Sequence, residues 1–403
     1  MTLASSSSVA VRAIQESAFG VIPTTGNPVD LRVTGESLAF DITKEVSKEI
    51  NKNRTNSSIV PVNAAASGDL MSEIYYAGND AMLASVMQSA WAAFGTNGVG
   101  TAVSVDVTAT TITAAVAPTG ANAFTNLKPG QWFRLESAGA NDGKILRVST
   151  ATAPTTTVIT LDPATPGAVS TGESVQIQSS RLTHGTTQTS WTLERENSDI
   201  GVFIAYRGMT PSKVSWSIAS AALSGMTFSF MGKDAIENTA TNLPGVSVPS
   251  PAYEIQSGVG GATSAVWADG APLTGTYVKS VTLDFDNALR AQDAIGTLGA
   301  VSVGSGTIAC TLTMQVYFAN KDLFTKFRTN TNSSFIFSTT DNDGNGYIIT
   351  IPKANISTWK SNAGAKDQDQ MLDITVTALS DDGNAVAALR KVLFIDRIGA
   401  AVV

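Results

Sequence analysis

The residue types that most often carry catalysis are scarce in this chain. His184 is the single histidine and Cys310 the single cysteine among 403 residues. One cysteine rules out an intramolecular disulfide framework and a cysteine-based zinc cluster. His184 lies in a turn-like Leu-Thr-His-Gly segment, and the sequence has no Gly-x-Ser-x-Gly nucleophile elbow. We therefore expect an ordinary turn histidine, and a buried, inert thiol at Cys310 on the apolar face of a predicted strand.

Two further patterns could suggest a ligand. Residues 341–346, Asp-Asn-Asp-Gly-Asn-Gly, are similar to the start of a calcium-binding loop, but the twelfth position, which requires an acid, is Pro352. A hairpin turn is the better interpretation. The glycines at 258–261 and 304–306 lack the lysine of a phosphate-binding loop. No pair of carboxylates stands out as a hydrolytic pair, so we predict no catalytic residue, no metal and no cofactor.

Composition favours a strand-rich protein. Charged residues make up 15% of the chain, against about 25% in an average soluble domain, and hydrophobic residues make up 43%. The 26 Lys and Arg against 33 Asp and Glu give a net charge of -7. The chain therefore lacks the positive excess with which a generic nucleic-acid binder captures phosphates. No stretch reads as membrane-spanning, and the first residues lack the pattern of a secretory signal.

Hydrophobic periodicity predicts strands and one helix in the first part of the chain. Alternation over residues 31–42 and 68–76 predicts strands, and helical spacing predicts a helix over 79–94 with Asn79 or Asp80 as its N-cap. The charged segment 43–55 lies between these strands. It could be a short helix, because Val46 and Ile50 are four residues apart, or a solvated loop or hairpin tip.

Residues 98–180 differ in texture from the rest of the chain. Thr, Val and Ala dominate, and turn signals separate short strand candidates at residues 103–107, 110–116, 131–135, 144–148, 156–161 and 174–177. Several short strands in so short a segment are typical of a small β-sandwich or barrel.

The strongest signal is an internal repeat. Residues 37–41, Ser-Leu-Ala-Phe-Asp, match 282–286, Thr-Leu-Asp-Phe-Asp, at an offset of 245. Residues 74–80, Ile-Tyr-Tyr-Ala-Gly-Asn-Asp, match 316–322, Val-Tyr-Phe-Ala-Asn-Lys-Asp, at an offset of 242. Within each copy, a helix is predicted directly after the second matched block. Later strands match as 181–182 with 335–338, 190–193 with 347–351, and 227–230 with 372–376. A duplicated domain with residues 98–180 inserted in its first copy explains the length.

Alternation within each copy separates a core face from a polar face. The predicted core residues are Leu38, Phe40, Leu70 and Ile74 in the first copy, and Leu283, Phe285, Cys310, Leu312, Met314 and Val316 in the second. The opposite face carries Asp41 and Glu73 in the first copy, and Asp284, Asp286 and Gln315 in the second. We therefore expect a polar, mildly acidic sheet face without positive charge.

Four segments resemble the major tail tube proteins of long-tailed (siphovirus-type) bacteriophages. They are VRAIQESAFGVIPTTG at 11–26, LRVTGESLAFDITKEVSKEI at 31–50, RGMTPSK at 207–213 and KDQDQMLDITVTAL at 366–379. The resemblance covers most of the chain outside residues 98–180. It implies a β-sandwich-like tube domain with a flanking helix, whose sheets join around a ring into an inner barrel. Rings then stack into a hollow tube through which DNA is delivered.

The resemblance also implies partners and a location. The partners would be further copies of the chain and, in the tail, the tape measure, tail terminator and distal tail proteins, while genomic DNA would pass without specific binding and no membrane would be involved. The location would be the virion tail after assembly in the host cytoplasm. Simpler members carry one tube domain per chain and form six-membered rings. Two domains per chain would close the same ring as a homotrimer with pseudo-sixfold symmetry.

The expected fold is therefore mainly β, with two tandem tube domains of the β-sandwich or barrel type, each with a short flanking helix, and an inserted small β domain. The predicted division is an N-terminal arm (1–30), a discontinuous first tube domain (31–97 and 181–237), the inserted module (98–180), a linker or arm (238–276), a second tube domain (277–380) and a C-terminal arm (381–403).

Two sets of residues are candidates for assembly functions. The mixed-sign segment suits a contact between stacked rings, and its residues are Lys44, Glu45, Lys48, Glu49, Lys52 and Arg54. The polar sheet face would line the lumen, through Asp41, Glu73, Asp284, Asp286 and Gln315. The alternatives are another β-rich virion surface protein, such as a capsid decoration protein or adhesin, and a carbohydrate-active enzyme that uses the inserted module for binding.

Overall fold

The computed structural model describes residues 3–258, 267–269, 271–272, 277–317, 321–362, 366–367 and 369–399. The described chain is mainly β, as predicted. Part of the predicted linker (259–266, 270 and 273–276), residues 318–320 of the second repeat block, and residues 400–403 of the predicted C-terminal arm lie outside the described residues.

The secondary structure elements are named in chain order. The strands before residue 98 are β1 (Val9–Gln15), β2 (Val29–Leu31), β3 (Gly35–Glu36), β4 (Ala39–Val46), β5 (Ile59–Glu73) and β6 (Ala92–Ala93). The next six are β7 (Val103–Val107), β8 (Thr111–Ala114), β9 (Trp132–Ser137), β10 (Ile145–Arg147), β11 (Val158–Thr160) and β12 (Ser170–Gln178). They are followed by β13 (Ser180–Thr183), β14 (Trp191–Asn197), β15 (Val202–Ala219), β16 (Gly225–Gly232) and β17 (Asp234–Asn238).

The remaining strands begin after the predicted linker. They are β18 (Trp267–Ala268), β19 (Ala271–Pro272), β20 (Val278–Asp286), β21 (Arg290–Gln292), β22 (Ser302–Gly304), β23 (Ala309–Tyr317), β24 (Ser333–Thr340), β25 (Gly346–Asn362), β26 (Met371–Ala378) and β27 (Phe394–Ile398). The described residues contain two α-helices, α1 (Asp80–Val86) and α2 (Asp322–Arg328). Short 3-10 turns occur at Ser6–Ser8, Gly120–Asn122, Phe124–Asn126 and Ala387–Leu389.

Eight antiparallel strands form one continuous sheet, which we call the eight-stranded sheet. Its order is β4-β5-β16-β15-β20-β23-β26-β25. The two halves of the chain join where β15 pairs with β20, with Lys213 opposite Asp286 and Ala219 opposite Ser280. Among the described residues, β4 and the second half of β25 form the two edges of this sheet.

Two smaller sheets lie in a second layer, and each shares a long strand with the eight-stranded sheet. In the first, the order is β2-β1-β14-β15-β17, through the first half of β15. In the second, the order is β19-β18-β24-β25-β27, through the first half of β25. Register shifts at Pro211/Lys213 and at Ile356/Thr358 lie just past the points where the two long strands change partners. Such bulges bend a strand and allow it to serve two sheets.

A single core fills the space between the layers. It contains residues from both halves of the chain, among them Phe228, Trp216, Leu312 and Ile349, each at most 2% exposed. The residues predicted for the core face are buried, apart from Phe40, which is half-buried against this core. Alternation therefore predicted the orientation of these strands correctly.

Residues 103–178 form a separate closed barrel. The strand order is β10-β9-β12-β7-β8-β11, and a bridge between Val148 and Leu161 joins the two ends. The barrel has its own apolar core, which includes Phe124, Phe133 and Leu135. All six strands predicted here are present, with shifted ends.

Three local predictions need correction. The helix predicted over 79–94 ends at Val86, because Gln88 adopts a left-handed conformation (φ 51°) and Ala92–Ala93 pairs with β13. The Asn79 side chain does not cap this helix; its Nδ2 donates to the carbonyl of Glu73. The matches of 181–182 with 335–338 and of 190–193 with 347–351 are each wrong by one strand, since β14 pairs with β15 as β24 pairs with β25.

Candidate assembly surfaces

The five polar-face candidates all lie on the side of the eight-stranded sheet opposite the core. Asp41 is exposed on β4 and Glu73 is half-buried at the end of β5. Asp284 and Asp286 alternate with the buried Leu283 and Phe285 on β20, and Gln315 lies on β23. The face also carries Asp69 and Asp373, which the sequence analysis missed.

This face is not free of positive charge, contrary to expectation. Lys213 Nζ lies 3.0 Å from Asp284 Oδ1 across the β15–β20 junction. Lys360 lies opposite Asp373 on β25 and β26, and Gln315 Nε2 donates to Asp373 Oδ1 at 3.1 Å. Lys213 immediately precedes the alternating core residues Val214 and Trp216 in sequence, so strand parity could have placed it on this face. The acids still outnumber these two lysines.

The mixed-sign segment forms the end of the β4–β5 hairpin, so the hairpin-tip interpretation is correct and the helix is wrong. The turn is closed by a hydrogen bond from Arg54 N to Asn51 O at 3.0 Å. All six charged candidates are exposed; they are Lys44, Glu45, Lys48, Glu49, Lys52 and Arg54. We refer to residues 44–60 as the hairpin tip.

The hairpin also exposes apolar side chains that the sequence analysis did not single out. Ile50 is 100% exposed, and Ile42, Val46, Ile59, Val60 and Val62 are between 41% and 60% exposed. An isolated two-stranded ribbon is marginal in water, and clustered apolar exposure marks a contact surface. The ribbon therefore has the composition of an element that another surface covers.

The β15–β20 junction is an example, inside the chain, of the strand pairing that the two edges of the eight-stranded sheet offer. At the β15–β20 junction, Asn287 N donates to Ser212 O at 2.9 Å, and Ser220 N donates to Lys279 O at 2.8 Å. The edge strand β4 corresponds to β20, because the two match at an offset of 245. The edge strand β25 corresponds to β15, because each is a strand shared by two sheets. An edge strand presents unpaired backbone groups that pair readily with another strand.

A buried ion pair attaches the barrel to the second layer. Asp396, which is fully buried, accepts from Arg181 Nε and Nη2, both at 2.7 Å, and from Trp132 N at 3.1 Å. Arg181 also donates to the carbonyls of Pro129 and Gly130 at 3.2 and 2.8 Å. The C-terminal strand β27 is inserted between β13 and β25. Chain segments far apart in sequence thus meet at this pair.

An apolar contact reinforces the attachment of the barrel, and a second ion pair joins α1 to β27 beside it. Trp132 packs against Ile336, Ile348 and Ile398. Nearby, Arg397 pairs with Asp80, and Tyr347 Oη donates to Asp80 Oδ1 at 2.6 Å. Burial raises the pKa of the Asp80 carboxyl, while Arg397 opposes this shift. The barrel therefore contacts the second layer through both polar and apolar groups.

The residues considered above for chemistry are buried or take part in turns. Cys310 is 2% exposed, and burial raises the pKa of its thiol to about 12. Burial, with Lys391 nearby, lowers the pKa of His184 to about 4. Asp341 Oδ1 accepts from the backbone N of Asp343 and of Asn345 in the β24–β25 turn. Within the described residues, no group of three or more His, Cys, Asp or Glu could hold a metal ion.

The comparisons with known proteins agree with this picture. The family model described as phage tail tube protein matches residues 6–378, nearly the whole chain, so the chain belongs to the phage tail tube protein family. The comparison with curated proteins gives no match. Membership makes the chain a structural protein of the virion tail, which assembles with itself into a tube and contacts other tail proteins. The family is not a known enzyme class. No helix among the described residues is long and apolar enough to cross a membrane.

Proposed function

We propose that three chains close one ring of the tail tube of a long-tailed phage, each contributing two copies of the tube domain. The observation that carries this proposal is the single eight-stranded sheet, in which β4-β5-β16-β15 and β20-β23-β26-β25 follow each other side by side. Each set of four is connected to its smaller sheet in the same way, through β15 or β25. The β15–β20 junction would then recur between chains, where β25 of one chain meets β4 of the next.

The equivalence predicts the register of the proposed junction between chains. Inside the chain, Ser215 lies opposite Asp284. Ser215 precedes Trp216 as Thr358 precedes Trp359, and Asp284 corresponds to Ala39 at the offset of 245. Thr358 of one chain should therefore lie opposite Ala39 of the next. Inside the chain, backbone hydrogen bonds join Asn287 to Ser212 and Ser220 to Lys279, so the hydrogen-bonded pairs fall at the odd-numbered positions along β20. Ser215 and Asp284 therefore form a non-hydrogen-bonded pair, the kind in which side chains are closest.

Cysteine cross-linking tests this register. In a Cys310→Ala background, Ala39→Cys with Thr358→Cys should give disulfide-linked trimers under mild oxidation, because the expected Cα separation suits a disulfide. The matched control is Ser215→Cys with Asp284→Cys, which should link within one chain and leave it a monomer on denaturing gels. Native mass spectrometry that finds six chains per ring, or an absence of interchain linkage while the control links, would overturn the trimer.

The polar face of the eight-stranded sheet would line the lumen in this ring. DNA carries one charge per about 1.7 Å of axis, so a face on which acids outnumber lysines would repel it weakly and let it slide. The barrel supports this orientation, since it packs on Ile336 and Ile348, which alternate with core residues of the second layer. The barrel would then project outward.

Reversing the charge of this face should slow DNA delivery. The variant Asp41→Lys/Asp284→Lys/Asp286→Lys should form tubes of normal length but retard genome ejection, and more so at low ionic strength, where the screening length exceeds about 10 Å. Single-virion ejection kinetics measure the effect, with the triple Asp→Asn variant as control. Unchanged kinetics in the lysine variant, or a density map that places these acids on the outer wall, would contradict the lumen assignment.

The hairpin tip would mediate stacking between rings, with its charges setting register more than affinity. We also propose assembly in the host cytoplasm and contacts with the tape measure, tail terminator and distal tail proteins, as the resemblance implies. The decoration-protein, adhesin and carbohydrate-enzyme alternatives lack a comparable supporting observation, because none of them has a use for two side-by-side copies of the same four strands.

A further inference from the structure

An apolar groove of about 650 Å³ lies beside the start of α1. It is lined by Val29, Ala77, Ala81, Val248, Pro251 and Tyr253, together with Gly78, Pro249 and Ala252. Its walls are packed against neighbouring residues. Tyr253 packs edge-on against Tyr76 at 5.1 Å, and Arg32 Nη1 donates to the Tyr253 carbonyl at 3.0 Å. A Cβ on Gly78 would meet the Tyr75 ring at 1.6 Å, so glycine is required there.

The groove and the hairpin tip lie at opposite ends of one strand. The tip ends with Ile59 and Val60, the first two residues of β5, and the groove residue Ala77 follows the end of β5 at Glu73. A strand of 15 residues is about 50 Å long at roughly 3.3 Å per residue. When rings stack, the end that bears the tips of one ring meets the end that bears the grooves of the next.

The two surfaces match in character. The described residues contain one such tip, because the corresponding segment of the second half, residues 287–308, folds back on the first half, where Asn287 Nδ2 donates to Val86 O at 2.6 Å and Gln88 Nε2 donates to Ser305 Oγ at 2.7 Å. The tip carries four cations and two anions, while Glu254, next to Tyr253, is exposed to solvent at the groove end and accepts from Asn342 Nδ2.

We propose that the hairpin tip of a chain in one ring seats its apolar residues, Ile50 foremost, in this groove of a chain in the adjacent ring. The inference rests on the proposed ring and names the surface that receives the tip. Burial of a fully exposed isoleucine in an apolar groove favours the contact, because removing apolar surface from water is favourable. The cations beside Ile50 then approach the acidic Glu254 and set the register.

Two single substitutions, one on each side, test the contact. Ile50→Asp should place a charge in the groove, and Ala81→Trp should fill it from an exposed position at the first turn of α1. Each should leave rings intact by native mass spectrometry and lower the equilibrium constant for adding a ring to a tube at least about tenfold, which corresponds to about 1.4 kcal/mol per ring-ring interface. Val169→Asp is the matched control, because Val169 is 78% exposed on the barrel; its tubes should be normal. Normal tubes in either the Ile50 or the Ala81 variant would overturn the proposal.

Cross-linking identifies the occupant. Chains carrying Ile50→Cys are mixed with chains carrying Ala81→Cys, both in the Cys310→Ala background, and treated with a short bismaleimide. Linked dimers should appear in tubes and be absent from isolated rings. Linkage in isolated rings would mean that the groove takes a tip from the same ring, and no linkage in tubes would mean another occupant; either overturns the inference. Failure of the Ala39–Thr358 linkage would instead overturn the ring on which it rests.

Discussion

Replacing Ile42 with proline should prevent ring closure while each chain stays folded. Ile42 corresponds to Asn287 at the offset of 245, and Asn287 N donates across the β15–β20 junction to Ser212 O. The Ile42 N–H should therefore point to the open edge of the sheet, where proline is tolerated in a monomer. In the ring, the proline leaves an acceptor of the next chain unsatisfied, at about 1–3 kcal/mol per junction. Native mass spectrometry should show monomers where the unaltered protein forms rings.

A second proline on the opposite edge makes this test independent of one position. Ser361 follows Trp359 by two residues, as Ile218 follows Trp216 on the paired edge of β15. Ser361→Pro should therefore also block closure. The matched control is Ile42→Thr, which keeps the backbone N–H and a β-branched side chain, and it should form normal rings. Intact rings in both proline variants would exclude edge-to-edge closure.

Removing the carboxylate of Asp396 should cost about 3–5 kcal/mol of stability, because breaking a buried ion pair leaves an uncompensated buried charge. Asp396 is 0% exposed and its partner Arg181 is 4% exposed. In Asp396→Ala the guanidinium would keep the carbonyls of Pro129 and Gly130 and its contact with the Phe394 ring, but no negative charge. Denaturant unfolding followed by tryptophan fluorescence should show an early transition, because Trp132 N also loses its acceptor.

Two comparisons separate this effect from a general loss of charge. Asp30→Asn weakens a half-exposed pair with Arg12, and such pairs contribute about 1 kcal/mol or less. The double variant Arg181→Met/Asp396→Leu should recover part of the lost stability, since apolar replacement of a whole buried pair is often nearly neutral. A loss below about 1 kcal/mol in Asp396→Ala would show that Arg181 finds other compensation.

Several features of this protein could be predicted from the sequence because they depend on neighbours along the chain. Alternation separated Leu283 and Phe285 from Asp284 and Asp286, since successive side chains of a strand point to opposite faces. Repeated blocks such as residues 37–41 and 282–286 pointed to two similar sets of strands. For the charged segment 43–55, the sequence did not decide between a helix and a hairpin tip, because the spacing of its apolar residues fitted both.

Other features were decided only by tertiary structure. The pairing of β27 with β13 and the pairing of Arg181 with Asp396 join residues more than two hundred positions apart. The presence of Lys213 beside Asp284 depended on β15 being the neighbour of β20. Periodicity states which way a side chain points but not which strand lies beside it. That choice is made by the burial and hydrogen bonding of the whole assembled core, to which distant segments contribute together.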